Sequence, residues 1–294
     1  MDIPYYRPPS EENSFLIRVM EGCPHNKCTF CGMYRGVKCR VLPLEEILQG
    51  IEKDASELGP KFLPLLTSLY LEGGDPMALP MPMLRTIIVQ AKNFFPSLER
   101  IASYATVKSI QRKSLSELRE LASLGLKRVH MGLESGSDDI LQRTNKGCSR
   151  EDIWQAADIL HEVGIENDVS MMLGIGGKAL SQKHALETAS LINMISPACI
   201  RIRTFIPIAE TPMASDVLQG LFVLMEPHQV LAELHLLVKN ISAKMQLLSE
   251  HHSNFITFSA QMPEGKQKLL QLIEQAMMQP RESFRPVGIS QVSA

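Results

Sequence analysis

From Phe15 to about Ile208 the sequence alternates short apolar, β-branched runs with longer amphipathic ones, and this alternation constrains the fold more than any other feature. Strand-like runs fall at 14–20, 68–71, 100–106, 128–133, 165–173 and 199–206. Helical spacing fills the gaps. Over 43–58, Leu44, Ile47, Leu48, Ile51, Ala55 and Leu58 recur on one face, with Glu45 and Glu46 in the first turn and Gly59-Pro60 as the stop. A second helix is expected over 82–94. A third starts at Ser114, whose partner Glu117 completes a capping box, and ends by Gly125. A fourth starts at Ser149 with Asp152 and ends at Gly164, and a fifth spans 181–195. Six strand–helix units in succession predict an α/β fold with a parallel sheet and right-handed crossovers. Periodicity leaves an open sheet and a partial barrel as alternatives. Both put ligands at the carboxyl ends of the strands.

The flanks are simpler. Residues 1–13 are polar, with Pro4, Pro8 and Pro9, and read as a surface arm. After about residue 210 the pattern turns helical. Residues 226–250 read as one long helix with Pro227 in its first turn and Val230, Leu231, Leu234, Leu237, Ile241, Met245 and Leu248 on its buried face. A short run, 255–258, and a last helix over 263–278 follow. The expected organisation is an arm (1–13), a parallel α/β body (14–210) and a C-terminal helical extension (211–294). The net charge of −2 lacks the basic excess of a nucleic-acid-binding surface. No apolar run approaches the ~20 residues that span a bilayer. The amino terminus shows no signal-peptide pattern, so a reducing cytoplasm is expected. The 16 methionines read as core fillers.

Three of the six cysteines, Cys23, Cys28 and Cys31, fall within nine residues as C-x4-C-x2-C, directly after the first strand. In a reducing compartment such clustered thiols bind metal or do chemistry. Three thiolates on a four-iron, four-sulfur cubane leave one iron open. A structural zinc ion wants four ligands, which His25 or Cys39 would complete.

With Phe30 placed before the last cysteine, this loop resembles the cluster motif of the radical S-adenosylmethionine (radical SAM) superfamily. The commoner spacing has three residues in the first gap; this chain has four. The resemblance extends over roughly 15–210. It is nearest to the branch of anaerobic coproporphyrinogen oxidases, tRNA methylthiotransferases and elongator-type enzymes. It implies a partial (β/α)6 barrel with the C-terminal helices packed on it. It implies a [4Fe-4S] cluster on Cys23, Cys28 and Cys31, with S-adenosylmethionine (SAM) chelated to the open iron. Reductive cleavage of SAM would give a 5′-deoxyadenosyl radical that takes hydrogen from a substrate. By the same resemblance Gly73, Gly74 and Asp75, after the second strand, hold the amino group of SAM. Phe30 lies beside adenine, and the backbone at Gly174 passes near it. Glu134 and Ser135, at the end of the fourth strand, and Lys146 contact the rest of the cofactor, and Tyr104 faces it.

The residues also carry plainer readings. A glycine pair after a strand is a turn, and Ser137 before Asp138 and Asp139 is a helix N-cap. Tyr104 suits a core and Lys146 a solvated surface. Arg201 and Arg203 alternate on the sixth strand and so share a face, where they need carboxylate partners or an anionic ligand. His251, Ser253 and Asn254 read as helix-end caps or as substrate contacts. Cys39, Cys148 and Cys199 are scattered and read as inert thiols. With no second cysteine cluster, sulfur insertion is disfavoured, and no D-x-H-x-x-G cobalamin motif occurs. The implied partners are a small-molecule substrate and an electron donor such as a flavodoxin or ferredoxin, with no membrane. RNA modification is the alternative within enzymes, and a zinc-bound structural or regulatory module the alternative outside them.

Overall fold

In a computed structural model, residues 5–291 are described. The first four residues of the expected arm and the last three of the tail lie outside them. All six expected strands form, with helices between them. In chain order they begin with β1 (Phe15–Arg18), α1 (Leu44–Leu58), β2 (Ser68–Glu72), α2 (Met81–Phe94) and β3 (Arg100–Ala105). Next come α3 (Val107–Gln111), α4 (Leu115–Ser123), β4 (Leu126–Glu134), α5 (Asp138–Arg143) and α6 (Arg150–Glu162). Then follow β5 (Glu166–Leu173), α7 (Gly177–Ile195) and β6 (Cys199–Thr204). The expected capping box is present: Ser114 Oγ accepts from the Glu117 amide at 3.3 Å, and the Glu117 carboxylate accepts from the Ser114 amide at 2.8 Å.

The chain divides into two compact units. The first takes the described residues up to Asn26, then 34–131 and 158–167. In it β1, β2, β3 and the first part of β4 pair in parallel in that order, with Phe15 opposite Leu69 and Leu69 opposite Ile101. Helices α1 and α2 bury Ile47, Ile51 and Ala55, and Leu84, Ile87 and Ala91, the apolar faces that their spacing predicts. A two-residue ribbon, Met20–Glu21 with Arg40–Val41, frames the start of the cysteine loop.

The described part of the arm departs from a plain surface arm. Glu11 is fully buried. Its carboxylate accepts from Arg100 at 2.7 and 2.9 Å and from Ser14 Oγ at 2.7 Å, and it lies 3.0 Å from His130 Nε2. Arg100 opens β3, and His130 sits on β4 between the rings of Tyr70 and Tyr104. The core of this unit thus draws its counter-charge from the arm. Glu11 sits beside an exposed glutamate, so nothing local marks it for burial.

The second unit takes 27–33, 132–157 and everything from Asp168 onward. It holds α8 (Pro212–Leu218), α9 (Pro227–Asn240), β7 (Met245–Ser249), β8 (Phe258–Met262) and α10 (Lys266–Met277) as well as β5 and β6. β5 pairs with β6 in parallel, Asp168 opposite Cys199, and β6 pairs with β7 in parallel, Cys199 opposite Gln246. β8 returns antiparallel to β7. The long helix expected over 226–250 is therefore corrected: α9 stops at Asn240 and a seventh parallel strand follows. The C-terminal stretch is accordingly not purely helical. Burial alternates from Ile241 to Leu247, the period of a strand. The side chain of Asn193 on α7 takes the Ser242 and Ala243 amides at 2.7 and 3.0 Å, so these donors cannot continue the helix. Among the described residues, no helix is long and apolar enough to cross a membrane.

Candidate functional site

The site residues of the first unit gather where β2 ends. Gly73 has φ of +144°, and the Gly74 amide donates to the Gly22 carbonyl at 3.0 Å. A Cβ on Gly74 would stand 2.6 Å from Cys23 Cα. No side chain fits there, so glycine is what lets the first cysteine lie on the strand end. Asp75 is buried. Its carboxylate accepts from Thr106 Oγ1 and Ser109 Oγ, both at 2.7 Å, and from the Thr106 amide at 3.2 Å. Burial raises its pKa, against the pull of those hydrogen bonds. The Asp75 side chain therefore anchors the start of α3, while the glycines before it present backbone. Tyr104 stacks edge-on against Tyr70 and His130 at 5.7 and 6.1 Å. Cys39 lies against the loop: burial, then Cys23 and Asp75, raise its thiol pKa.

In the second unit, Cys28, Phe30 and Cys31 ride on a segment stapled down at three points. The Thr29 amide donates to Thr144 O at 2.9 Å, Asn145 Nδ2 donates to Lys27 O at 3.2 Å, and the Met213 amide donates to Thr29 O at 3.1 Å. Phe30 packs with Ile140, Ile175, Phe205, Met213 and Phe222, and both cysteines lie against this cluster. All six cysteines are free thiols.

At the end of β4, Glu134 is buried with φ of +58°, a left-handed conformation rare for a non-glycine residue. It accepts a hydrogen bond from Lys146 Nζ at 3.0 Å. That ammonium also lies 5.9 Å from the Phe30 ring centre. Burial opposes the Lys146 charge, but Glu134 and the Cys28 and Cys148 thiols outweigh it and hold the pKa above the ordinary lysine value. A Cβ on Gly132 would meet the Glu134 carboxylate and stand 2.6 Å from Lys146 Nζ. The ion pair thus lies directly over Gly132, where a side chain would have to push the Glu134 and Lys146 termini aside. Ser135 is buried and accepts from the Ser137 amide at 3.0 Å. Ser137 stands at the N-cap position of α5, but its side chain accepts from no first-turn amide, which corrects the expected capping role. Gly174, with φ of +76°, donates its amide to buried Glu233 at 2.7 Å.

Beyond β6 the same unit brings together four further expected residues. Arg201 stands 3.6 Å from Glu250. Asn254 donates to Ile202 O at 2.8 Å and accepts from Thr204 Oγ1 at 3.1 Å. His251 Nδ1 is 2.8 Å from Ser253 Oγ, and Arg203 acts on the same ring. Arg285, unmarked by any spacing signal, joins them by donating to Ser253 O. Gly132 opens the strand-end stretch that carries the resemblance, where it had no role of its own; Glu233, hidden in the apolar face of α9, escaped the sequence.

A family model described as the radical SAM superfamily matches residues 17–192. A curated relative, the heme chaperone HemW of Bacillus subtilis (strain 168), is 22% identical over 150 residues, half of this chain and 40% of that protein. The chain thus spans less than half the length of that relative. Among solved structures, coproporphyrinogen III oxidase (HemN) of Escherichia coli, a radical SAM enzyme, overlays 75% of this chain and 50% of its own at a TM-score of 0.54 and 17% identity. The radical SAM methyltransferase TsrM of Kitasatospora setae, with cobalamin and a [4Fe-4S] cluster bound, overlays 70% of this chain and 39% of its own at a TM-score of 0.56 and 17% identity. These likenesses establish the architecture: a mostly parallel α/β sheet of the partial-barrel kind.

Proposed function

Because this chain belongs to the radical SAM superfamily, and is therefore an enzyme whose cofactors are a [4Fe-4S] cluster and SAM, we propose that residues 14–210 carry its cofactor site and that its substrate is a small molecule. Cys23, Cys28 and Cys31 are the cluster ligands in this reading. The donor chemistry fits: three free thiols on one loop leave an iron coordination position for SAM. Among the described residues, no three Cys, His, Asp or Glu side chains already meet at one metal-binding point, so the fit rests on donor type and on the cradles around the loop. When bound, the cluster and SAM together supply one-electron chemistry that removes a hydrogen atom from the substrate.

The protein's own contribution is placement. Gly73 and Gly74 offer bare backbone to the amino group of SAM. Glu134 accepts from the ribose hydroxyls, and Lys146 faces the methionine carboxylate. Phe30 and the Gly174 backbone flank adenine, with Ser135 and Tyr104 as further contacts. Asp75 acts through α3, because its oxygens are taken by Thr106 and Ser109. The observation that carries the reading is the seat in the second unit. A lysine ammonium, kept charged by the Glu134 carboxylate that accepts its hydrogen bond, lies over Gly132 beside Phe30 and the Cys28 thiol. A net charge of −2 favours a small molecule over RNA. The electron donor is a protein such as a flavodoxin or ferredoxin, in the cytoplasm.

The test is anaerobic reconstitution with iron and sulfide, then spectra of the dithionite-reduced protein with and without SAM, and a product assay. A brown protein whose reduced signal shifts with SAM and which releases 5′-deoxyadenosine is expected. A colourless protein holding about one zinc per chain, without deoxyadenosine, would overturn the reading.

A further inference from the structure

At Gly174 the backbone leaves the sheet. The pairing of β5 with β6 ends with Leu173 opposite Thr204. Gly174 then takes a left-handed φ of +76°, and its carbonyl accepts from the Gly177 amide at 2.9 Å, which closes a tight turn into α7. The Gly174 amide has thus left the ladder, and a buried amide needs an acceptor. Glu233 supplies it at 2.7 Å, from α9. A Cβ on Gly174 would meet Val230 and Met225 at an ordinary 3.7 and 3.9 Å. Glycine is therefore required here by the backbone angle and not by crowding.

Core packing alone does not account for a glutamate at this position. Val230, Leu234 and Leu237, on the same face of α9, are buried and apolar, and Glu233 is buried among them. Its Oε2 has no hydrogen-bond partner among the described residues, and its Oε1 lies 3.3 Å from Nδ1 of His184, itself buried on α7. A buried carboxyl so incompletely matched adds little to stability, and an apolar residue of its size would serve the core as well or better. What glutamate adds is reach, from a helix to one amide of the facing turn. That turn matters for what it carries. Ile175, next to Gly174, is buried in the cluster that holds Phe30, and Cys28 and Cys31 pack against the same cluster.

We propose that Glu233 is a positioning residue for the adenine side of the cofactor seat. By holding the Gly174 amide it sets the turn whose backbone flanks the ring and whose Ile175 backs Phe30. Its contact is with the turn and not with the nucleoside. This rests on the radical SAM reading and deepens it: the C-terminal stretch takes part in cofactor binding through one side chain of α9.

The test uses the full-length reconstituted protein, titrated anaerobically by calorimetry with SAM and, separately, with 5′-methylthioadenosine, which keeps adenine and ribose but lacks the methionine amino and carboxylate groups. Two variants separate reach from carboxyl chemistry. Glu233→Gln keeps an oxygen at the same reach, and Glu233→Asp keeps the carboxyl but falls one methylene short of the amide. Glu233→Gln should bind both ligands as wild type does. Glu233→Asp should weaken both by about tenfold, with its iron content unchanged. Wild-type affinity for 5′-methylthioadenosine in Glu233→Asp, or a Glu233→Gln protein as weak as Glu233→Asp, would overturn the proposal. So would a lowered Tm in Glu233→Asp with both affinities intact, which would make the glutamate structural. Should Glu233→Asp fail to fold, Glu233→Leu, which fills a similar volume and offers no acceptor, is read in its place by the same criteria. Wild-type protein that binds SAM but not 5′-methylthioadenosine would show that the adenine side holds nothing by itself, and would overturn the proposal too. Wild-type protein that binds neither ligand would instead overturn the radical SAM reading and, with it, the role of this residue.

Discussion

At Glu134 the backbone adopts a left-handed conformation that costs a non-glycine residue about 1–3 kcal/mol. The chain keeps glutamate there, and its carboxylate holds Lys146. Glu134→Gly should therefore be more stable than Glu134→Ala by about 1 kcal/mol in denaturant unfolding. Both should lose SAM affinity while keeping the cluster; unchanged affinity by calorimetry would remove Glu134 from the cofactor site. Glu11 carries the second prediction at this scale. Burial opposes its charge, but hydrogen bonds from His130, Arg100 and Ser14 and the Arg100 charge win, and hold its pKa at about 2 against an ordinary 4.5. A depressed folded pKa stabilises fully above the unfolded value and is lost as pH falls through the folded one. The contribution, about 3 kcal/mol, should thus be present above about pH 4.5 and disappear toward pH 2. Glu11→Gln should cost a similar amount at pH 7 and flatten the acid limb of stability against pH. The cysteine loop, Gly73-Gly74, Glu134 and Lys146 were singled out in the sequence by their resemblance to the family's motifs. Glu11 and Arg285 were not: Glu11 depends on Arg100 and His130, and Arg285 on Ser253, partners that no local spacing can report.

Elements were legible where one period had no rival. The runs that became α1, α2, β2 and β5 were unambiguous, and capping chemistry fixed the start of α4. The stretch 241–248 satisfied two periods at once. Ile241, Met245 and Leu248 fit a helix, and Ile241, Ala243, Met245 and Leu247 fit a strand. Tertiary contact decides between them, through Asn193. Its Oδ1 takes the Ser242 and Ala243 amides, and its Nδ2 donates to Asn240 O at 2.9 Å. Asn193→Ala should remove this cap and cost about 1–2 kcal/mol in chemical denaturation. Asn193→Asp, which keeps the acceptor and loses the donor, should recover part of it. A neutral Asn193→Ala would mean that alternation alone ends α9.

Across the whole molecule the chain passes back and forth between the two units, so neither is a contiguous stretch of sequence. The 168–294 segment expressed alone should show no cooperative thermal transition by circular dichroism, because it lacks 27–33 and 132–157. A cooperative transition would show that β5 to β8 and their helices suffice. Neither the sequence periodicity nor the expected boundaries at 13 and 210 disclosed this interleaving, because it is a property of contacts rather than of pattern. It also orders events during synthesis. The segment bearing Cys28, Phe30 and Cys31 is made well before the residues it packs on, Ile140, Ile175, Phe205, Met213 and Phe222. On the ribosome those thiols wait, unsheltered, until nearly 200 further residues have followed them out. With Cys28 and Cys31 as proposed cluster ligands, loading at a folded seat would follow synthesis through Phe222.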